Sequence, residues 1–207
     1  MADERDEGGH PRPWERLSSR EVAEYEMFRV REDRSRSPKD GDEKTFHMAV
    51  SPGGVAVLAV TDEGRLVMVE QFRHGTRALS LELPSGVVDE GESPEEAARR
   101  ELREETGCEG GEPRVLGCFE LNPSWQKTTV HAVLVRGVRR AGEKDEDEGE
   151  DIRVRLLPVA EVRRRVLAGE IDAAATLCAL ALWDWGSGGL SGAADDRAGA
   201  APERTLS

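Results

Sequence analysis

Three glutamates near the end of one predicted helix have the residue type and spacing that divalent-metal chemistry needs. The segment LPSGVVDEGESPEEAARRELREETGC begins at Leu83 and contains Glu101, Glu104 and Glu105. Like charges three and four residues apart on a helix oppose folding by roughly 0.2–0.5 kcal/mol per pair, and burial raises that cost. A hard divalent cation removes the conflict, because Mg²⁺ sites combine a few carboxylates with substrate phosphates and water. The spacing therefore predicts a metal site on this helix.

The same segment carries the signals that begin and end a helix. Ser93 and Glu96 are spaced as a reciprocal N-terminal cap, and Pro94 suits the first helical position. Gly107 suits the C-terminal cap, so we predict a helix over residues 94–106.

The register of that helix turns its carboxylates towards the protein interior. At about 100° per residue, Ala98 and Leu102 form a narrow apolar stripe, and Glu105 is in line with them. Glu101 is adjacent to the stripe, and Glu104 is one step further round. The other charged side chains are predicted to form a solvated face with helical ion pairs: Glu95, Glu96, Arg99 and Arg103.

Composition restricts the classes of function. A chain of 207 residues with 37% hydrophobic content suffices for one domain with a substantial core and a small N-terminal appendage. The net charge of −13 argues against a general nucleic-acid or anionic-membrane binder, because a phosphate backbone attracts a basic surface. A compact anionic substrate is still compatible with this net charge if metal ions and local arginines make the electrostatic potential at the site positive.

The cysteines and the hydropathy pattern predict a cytoplasmic protein. Cys108, Cys118 and Cys178 are odd in number and unpatterned, which suits reduced thiols better than a disulfide framework. The sequence has no apolar run long enough to span a bilayer, and its first residues lack the hydrophobic segment of a signal peptide.

Strand patterns surround the predicted helix. We predict two buried strands, GVAVLAV and RLVMVEQF, joined by a tight turn at residues 61–64. Further strands are predicted for RVLGCFE, TTVHAVLV and IRVRLLP, and His131 in the second of these is expected to be structural. Two helices broken at Ala168-Gly169 then follow.

The first fifty residues read differently from the rest. Residues 1–13 are predicted to be disordered, and residues 14–50 to form a small antiparallel β module. A strand through Tyr25, either Met27 or Phe28, and Val30, with a bulge, is followed by a turn at Asp40-Gly41 and a second strand, TFHMAV. The main domain is expected over residues 51–185, with a disordered tail over residues 186–207.

The segment around the predicted helix resembles the signature of the Nudix hydrolases. That signature is Gly, five residues, Glu, seven residues, Arg-Glu, an aliphatic, any residue, Glu-Glu, any residue, Gly and an aliphatic. Cys108 stands at the closing aliphatic position, where a buried Cys behaves as a small hydrophobe. The resemblance implies the Nudix α/β/α sandwich, an α/β fold with a mixed sheet. The matching residues are Gly86, Glu92, Arg100, Glu101, Leu102, Glu104, Glu105 and Gly107.

The resemblance also implies the site residues. Mg²⁺, with Mn²⁺ as the alternative, is expected to be bound by three glutamates and by the carbonyl of Ser85. Arg100 is expected to pair with Glu92 and hold the loop against the helix. In the relatives, the loop before the last strand supplies a glutamate that orients the attacking water. Glu148 and Glu150 both occupy that neighbourhood in the acidic run AGEKDEDEGED, and the sequence does not choose between them. The three metal-binding glutamates are Glu101, Glu104 and Glu105. Glu104, Glu105 and Arg100 are also expected to be catalytic residues.

Beyond the signature, the chain resembles the ADP-ribose pyrophosphatases of this superfamily. The segments Gln71-Phe-Arg73 and Glu82-Leu-Pro-Ser-Gly86 resemble the elements that flank the substrate there. An Arg at the end of a central strand can fork onto a diphosphate, and Arg77 is close enough in sequence to help. Trp125 is predicted to stack on the base, with a half-buried loop anchor as the alternative. The expected substrate-binding residues are Arg73, Arg77, Glu82 and Trp125.

The resemblance implies hydrolysis of ADP-ribose to AMP and ribose 5-phosphate. The loop LNPSWQKTTVH departs from the Gly- and acid-bearing loop usual there, which keeps another nucleotide sugar such as GDP-mannose as the alternative. A non-catalytic nucleotide sensor is a further alternative, disfavoured because every signature carboxylate is present. In the relatives the N-terminal segment forms a sheet that crosses to a second subunit, so a homodimer is expected. An edge hairpin packed on its own domain is the alternative.

Overall fold

The computed structural model describes residues 11–142, 144 and 151–187. These residues form two compact units, one of residues up to 51 with 122–127, the other of residues 52–121 with those from 128 on. Most of the predicted disordered segments, and both Glu148 and Glu150, lie outside the described residues.

The first unit is a four-stranded sheet. Its strands are β1 (Glu15–Glu24), β2 (Arg29–Arg36), β3 (Glu43–Val50) and β10 (Gln126–Lys127), and they lie in that order. The first three strands are antiparallel, and the short β10 pairs in parallel with β3. The turn between β2 and β3 contains Gly41 in the left-handed region at φ 79°, as the Asp-Gly pair predicts.

The strand predicted through Tyr25 and Met27 is wrong. Tyr25 and Phe28 are the ends of the tight turn between β1 and β2, where the Tyr25 amide donates to the Phe28 carbonyl at 2.9 Å. The strand before this turn, β1, is almost entirely exposed. A strand that buries neither face needs no alternation of apolar and polar residues. Because that alternation is the signal from which a half-buried strand is predicted, the sequence gives no indication of β1.

The second unit contains a seven-stranded mixed sheet flanked by helices. The strand order is β13-β5-β4-β11-β9, with β6 paired to β5 and β7 paired to β4. Strands β4 and β11 are parallel, and the other pairs are antiparallel. A separate short ladder joins β8 and β12. The elements are β4 (Gly54–Val60), β5 (Arg65–Arg73), β6 (Ala78–Glu82), β7 (Ser85–Val87), α1 (Pro94–Thr106), β8 (Cys108–Glu109), β9 (Arg114–Glu120), β11 (Thr129–Arg136), β12 (Arg139–Arg140), β13 (Arg153–Pro158), α2 (Val159–Leu167) and α3 (Ala174–Ser187).

Each face of this sheet has its own apolar core. Val57 and Val67 belong to a buried cluster with Ala98 of α1, whereas Leu58 and Met68 belong to a cluster that α2 and α3 complete. Successive strand side chains point to opposite faces, so one buried strand supplies both clusters. The α/β/α sandwich that the sequence predicts is confirmed. No helix among the described residues has the length and hydropathy to cross a bilayer.

Candidate active site

Both ends of α1 are fixed by local contacts. The Glu96 amide donates to Ser93 Oγ at 3.3 Å, and the Ser93 amide donates to Glu96 Oε2 at 2.8 Å. This is the reciprocal cap that the sequence predicts. At the other end, Gly107 takes φ 67° and its amide donates to the Arg103 carbonyl at 2.8 Å. The caps set the register of α1, and the register decides which way its glutamates point.

The glutamates face inward to different degrees. Glu105 is only 4% exposed, and it lies on the side of α1 that buries Ala98 and Leu102. The Ser85 amide donates to Glu105 Oε2 at 3.0 Å, so this carboxylate contacts the start of β7. Glu101 and Glu104 are half-buried. The predicted order of burial, with Glu105 in line with the apolar stripe, is therefore what the structure has.

Gly86 lies directly beneath one of these carboxylates. A Cβ built on Gly86 would overlap the side-chain carboxylate of Glu101. Gly86 pairs with Val55, so the backbone of β7 is held in place by β4. The absence of a side chain at position 86 is thus what leaves room for the Glu101 carboxylate against the strand.

Arg100 joins the loop before α1 to the helix. Its Nε and Nη2 donate to the two carboxylate oxygens of Glu92, both at 3.0 Å, which is the pair that the sequence predicts. Nη2 also donates to the Val87 carbonyl at 2.7 Å, and Nη1 donates to Glu101 at 2.7 Å and to Glu104 at 3.1 Å. The contact with the Val87 carbonyl has no sequence signal, because it depends on how the loop folds over the helix. Arg100 and Glu104, in contrast, have the i,i+4 spacing of a helical ion pair.

This network also determines charge states. Hydrogen bonds that Arg100 donates to the Glu92 carboxylate raise the pKa of Arg100 above its ordinary value, against the effect of burial, and Glu101 and Glu104 add to the rise. Hydrogen bonds from Arg100 correspondingly lower the pKa of Glu92. Arg100 and Glu92 are therefore fully ionised at neutral pH.

The donor chemistry of the α1 glutamates suits a hard divalent cation. Every candidate ligand is an oxygen, which favours Mg²⁺ or Mn²⁺ over softer metals. However, no three His, Cys, Asp or Glu side chains within the described ranges converge in an arrangement that could hold a metal ion. Arg100 Nη1 instead contacts both Glu101 and Glu104. In this structure the guanidinium supplies the positive charge that these two carboxylates need.

A second Arg–Glu pair lies at the end of β5. Arg73 Nε and Nη2 donate to the two carboxylate oxygens of Glu82 at 3.0 and 2.8 Å. Burial of Glu82 favours its neutral form, but hydrogen bonds from Arg73 and Ser80 outweigh that effect and lower the pKa of Glu82. The Arg73 side chain is 42% exposed, whereas the carboxylate that holds it is buried.

The remaining predicted site residues are more scattered. Arg77 is exposed in the turn after β5, where it takes φ 56° and its amide donates to the Arg73 carbonyl at 2.8 Å. Trp125 belongs to the first unit and is 51% exposed there. His131 is half-buried on β11, and burial lowers its pKa, which fits the structural role predicted for it.

A cavity of about 820 Å³ lies beside the C-terminal end of α1. Its lining includes the apolar Val67 and Cys108 and the basic Arg139, Arg140 and Arg153. None of the α1 glutamates lines this cavity, so its size does not mark the position of the metal chemistry. The burial of like charges on α1 is the stronger indication.

Comparisons with known proteins agree with this geometry. A NUDIX domain model matches residues 50–178, which include the whole of α1 and the sheet around it. The chain is 36% identical over 160 residues to the ADP-ribose pyrophosphatase of Mycobacterium tuberculosis, a match that covers 76% of this chain and 77% of the relative. It is 38% identical over 130 residues to the ADP-ribose pyrophosphatase of Bacillus subtilis, covering 62% of this chain and 70% of that one.

A solved structure shares the fold. The crystal structure of an ADP compounds hydrolase superposes with a TM-score of 0.74, covering 86% of this chain and 97% of that one. The two sequences are 23% identical, so this likeness concerns the fold alone. The domain model covers more than half of the chain, and the mycobacterial relative matches over most of its length. The chain therefore belongs to the NUDIX domain family.

Proposed function

We propose that this chain hydrolyses a nucleoside diphosphate linked to another moiety, and that its substrate is ADP-ribose, which it splits into AMP and ribose 5-phosphate. The observation that carries the proposal is the inward-facing glutamate set of α1, with Glu105 almost fully buried. Two relatives that match over much of this chain are named ADP-ribose pyrophosphatase, which supports the choice of substrate.

The reaction is the attack of water on one phosphorus of the diphosphate. A bond forms between the water oxygen and that phosphorus, and the bond from the phosphorus to the bridging oxygen breaks. The other phosphate leaves with the bridging oxygen, and the proton of the water goes to a base or to solvent. A bound Mg²⁺ neutralises phosphate charge and lowers the pKa of water, which is the chemistry that the family's metal supplies.

We assign the metal ligands to the residues of α1 and β7. Glu101, Glu104 and Glu105 are the carboxylate ligands, and the Ser85 carbonyl is the fourth protein group. Arg100 orients the first two of these carboxylates through Nη1, while Nε and Nη2 hold Glu92. This division of its nitrogens lets Arg100 give up its contacts with Glu101 and Glu104 without releasing the loop.

Arg73 is the proposed contact for the substrate phosphates. Glu82 holds two of its nitrogens, so the guanidinium is fixed in one orientation before substrate arrives. Because the Glu82 carboxylate is itself buried, Glu82 acts through Arg73 and is a positioning residue. Arg77 and Trp125 remain proposed contacts for the phosphates and for the base. Glu148 or Glu150 remains the proposed water-orienting residue.

A homodimer in the cytoplasm completes the proposal. The first unit exposes Tyr25, Met27 and Phe46, and a second copy of the chain would cover such apolar side chains. Light scattering after gel filtration measures the mass, and the proposal expects twice the 22.7 kDa of one chain. A monomer at micromolar concentration would contradict the dimer and leave the chemistry untouched.

A panel of substrates tests the proposed function. Purified protein with Mg²⁺ is incubated with ADP-ribose, GDP-mannose, NADH, diadenosine polyphosphates and coenzyme A, and the products are separated chromatographically. The expected result is a higher kcat/KM for ADP-ribose than for the others, with AMP and ribose 5-phosphate formed in equal amounts, and no turnover in EDTA. A preference for GDP-mannose would move the substrate to another nucleotide sugar. Binding of ADP-ribose without any product would indicate a sensor.

A further inference from the structure

Gln71 is a buried polar residue whose side-chain amide donor is unsatisfied within the described structure. It lies on β5 and is 9% exposed, and its side-chain Nε2 has no hydrogen-bond partner among the residues that the structure describes. A buried amide donor that lacks an acceptor costs stability, and most buried donors in proteins are paired. Such a group is retained at a cost unless something outside the chain supplies the acceptor.

The strand register places Gln71 on the face of the sheet that carries α1. Val67 belongs to the buried cluster that contains Ala98 and Leu102 of α1. Side chains two residues apart on a strand share a face, and the pairing of β5 with β6 and β13 contains no bulge. Gln71 and Arg73 therefore lie on the same face as Val67, four and six residues further along β5.

The described neighbours of Gln71 on that face have side-chain acceptors that are already bonded, or have no side-chain acceptor. Ser80 is its partner across the ladder, and the Ser80 side chain hydrogen-bonds to Glu82. The Glu82 carboxylate also receives both bonds from Arg73. On the other side, β13 pairs Arg153 with Glu70, and the residue before it is the buried Ile152, which offers only a hydrocarbon side chain.

We infer that Gln71 is a substrate-contacting residue whose Nε2 donates a hydrogen bond to a phosphate oxygen of the nucleoside diphosphate, beside the guanidinium of Arg73. Residues i and i+2 on a strand are roughly 7 Å apart, a separation that two side chains close onto one diphosphate group. A neutral amide suits the position because it costs less to bury than a charged side chain. The inference rests on the proposed hydrolysis of a nucleoside diphosphate.

The test compares Gln71→Met with the wild type. Methionine keeps much of the side-chain volume and removes the donor. The expected result is a kcat/KM for ADP-ribose lower by roughly 10- to 100-fold, the effect of losing one hydrogen bond to a charged group. The melting temperature is expected to stay the same or rise, because Nε2 has no partner within the described ranges. Leu79→Met is the control with unchanged kcat/KM, because Leu79 is 71% exposed on β6 and lies on the opposite face of the sheet, across from Phe72.

Several outcomes decide the question. Wild-type kcat/KM in Gln71→Met would overturn the inference, and so would a lower melting temperature with an unchanged KM, which indicates a structural role. If the wild type hydrolyses another nucleoside diphosphate derivative but not ADP-ribose, the substrate assignment fails, and the same variants are then compared on that derivative. A wild type inert towards the whole panel would overturn both.

Discussion

Contacts between arginine and glutamate have different roles in the two units of this protein. In the N-terminal sheet, Glu43 accepts from Arg34 at 2.6 Å and from Arg36 at 3.0 Å, and all three side chains are exposed. On α1, the half-buried Arg100 spreads its donors over three carboxylates and one carbonyl. Exposed cross-strand pairs support register and stabilise weakly. The Arg100 network instead offsets the repulsion between half-buried carboxylates that are close together on one helix.

The difference shows where to look for function in an acidic chain. Charge density is a poor guide, because most of the acidic residues in the described part of the chain are exposed to solvent. Burial of like charge is a better guide, since it must be offset by a specific partner. Glu105 satisfies that criterion and Glu43 does not. Four substitutions test whether the two kinds of site differ in this way.

The largest expected effect is that of Glu105→Gln. Removing the charge of a buried metal ligand is expected to lower kcat by roughly 10³-fold, the upper range for loss of one main electrostatic group. The melting temperature should change little, because glutamine can still accept from the Ser85 amide. The matched control is Glu112→Gln, a 90% exposed carboxylate paired with Arg99, which should keep full activity. Equal kcat values in the two variants would remove the metal assignment.

Gly86→Ala should separate activity from stability. The new methyl group overlaps the Glu101 carboxylate, which is the flexible end of a side chain and can move away at low cost. We expect a roughly 10²-fold loss of kcat from displacement of a ligand, with a nearly unchanged melting temperature. Gly75→Ala is the control, because nothing lies within 4 Å of its added Cβ. Wild-type turnover by Gly86→Ala would show that the Glu101 position does not matter.

Arg100→Lys should cost less, about 10- to 100-fold in kcat, as for other residues that orient metal ligands. Lysine keeps the charge but cannot hold both oxygens of Glu92 while reaching Glu101. Arg99→Lys alters the neighbouring residue, whose side chain donates to the exposed Glu112, and should leave kcat unchanged. Similar losses in both variants would mean that the Arg100 network has no special role.

The smallest expected effect is the pH dependence contributed by Glu82. Its pKa is lowered below the ordinary value of 4.5 in the folded protein. Its contribution to stability is therefore present above pH 4.5 and is lost as the pH falls through the lowered pKa. Glu82→Gln should melt a few degrees below the wild type at pH 7, and the difference should vanish in acid. The exposed Glu43→Gln should shift the melting temperature by no more than about 1 °C at either pH. A difference for Glu82→Gln that persists in acid would contradict the assignment.

Local signals explain what the sequence predicts well. Ser93, Pro94 and Gly107 define α1 without reference to the rest of the chain, and Gly64 ends the turn between β4 and β5 in the left-handed region, at φ 72°. The inward direction of Glu105 follows from helix periodicity alone. The pair of Arg100 with Glu92 comes from a family pattern that the structure repeats.

Tertiary contacts explain what the sequence does not predict. Strand β1 is exposed and polar, so only its pairing with β2 makes it a strand. The contact of Arg100 with the Val87 carbonyl depends on the path of the loop over α1. Within the described residues, Gln71 Nε2 lacks an acceptor because the neighbouring Ser80 and Glu82 side chains hydrogen-bond to each other and Glu82 also accepts from Arg73.

Calorimetric titration of Mn²⁺ into the wild type, Glu105→Gln and Glu112→Gln is the most direct test of the central claim. The claim is that the glutamates of α1 hold the divalent cation that the hydrolysis needs. We predict equal Mn²⁺ affinity for the wild type and Glu112→Gln, and a loss of binding, by at least about tenfold in Kd, for Glu105→Gln. Wild-type affinity in Glu105→Gln would contradict it.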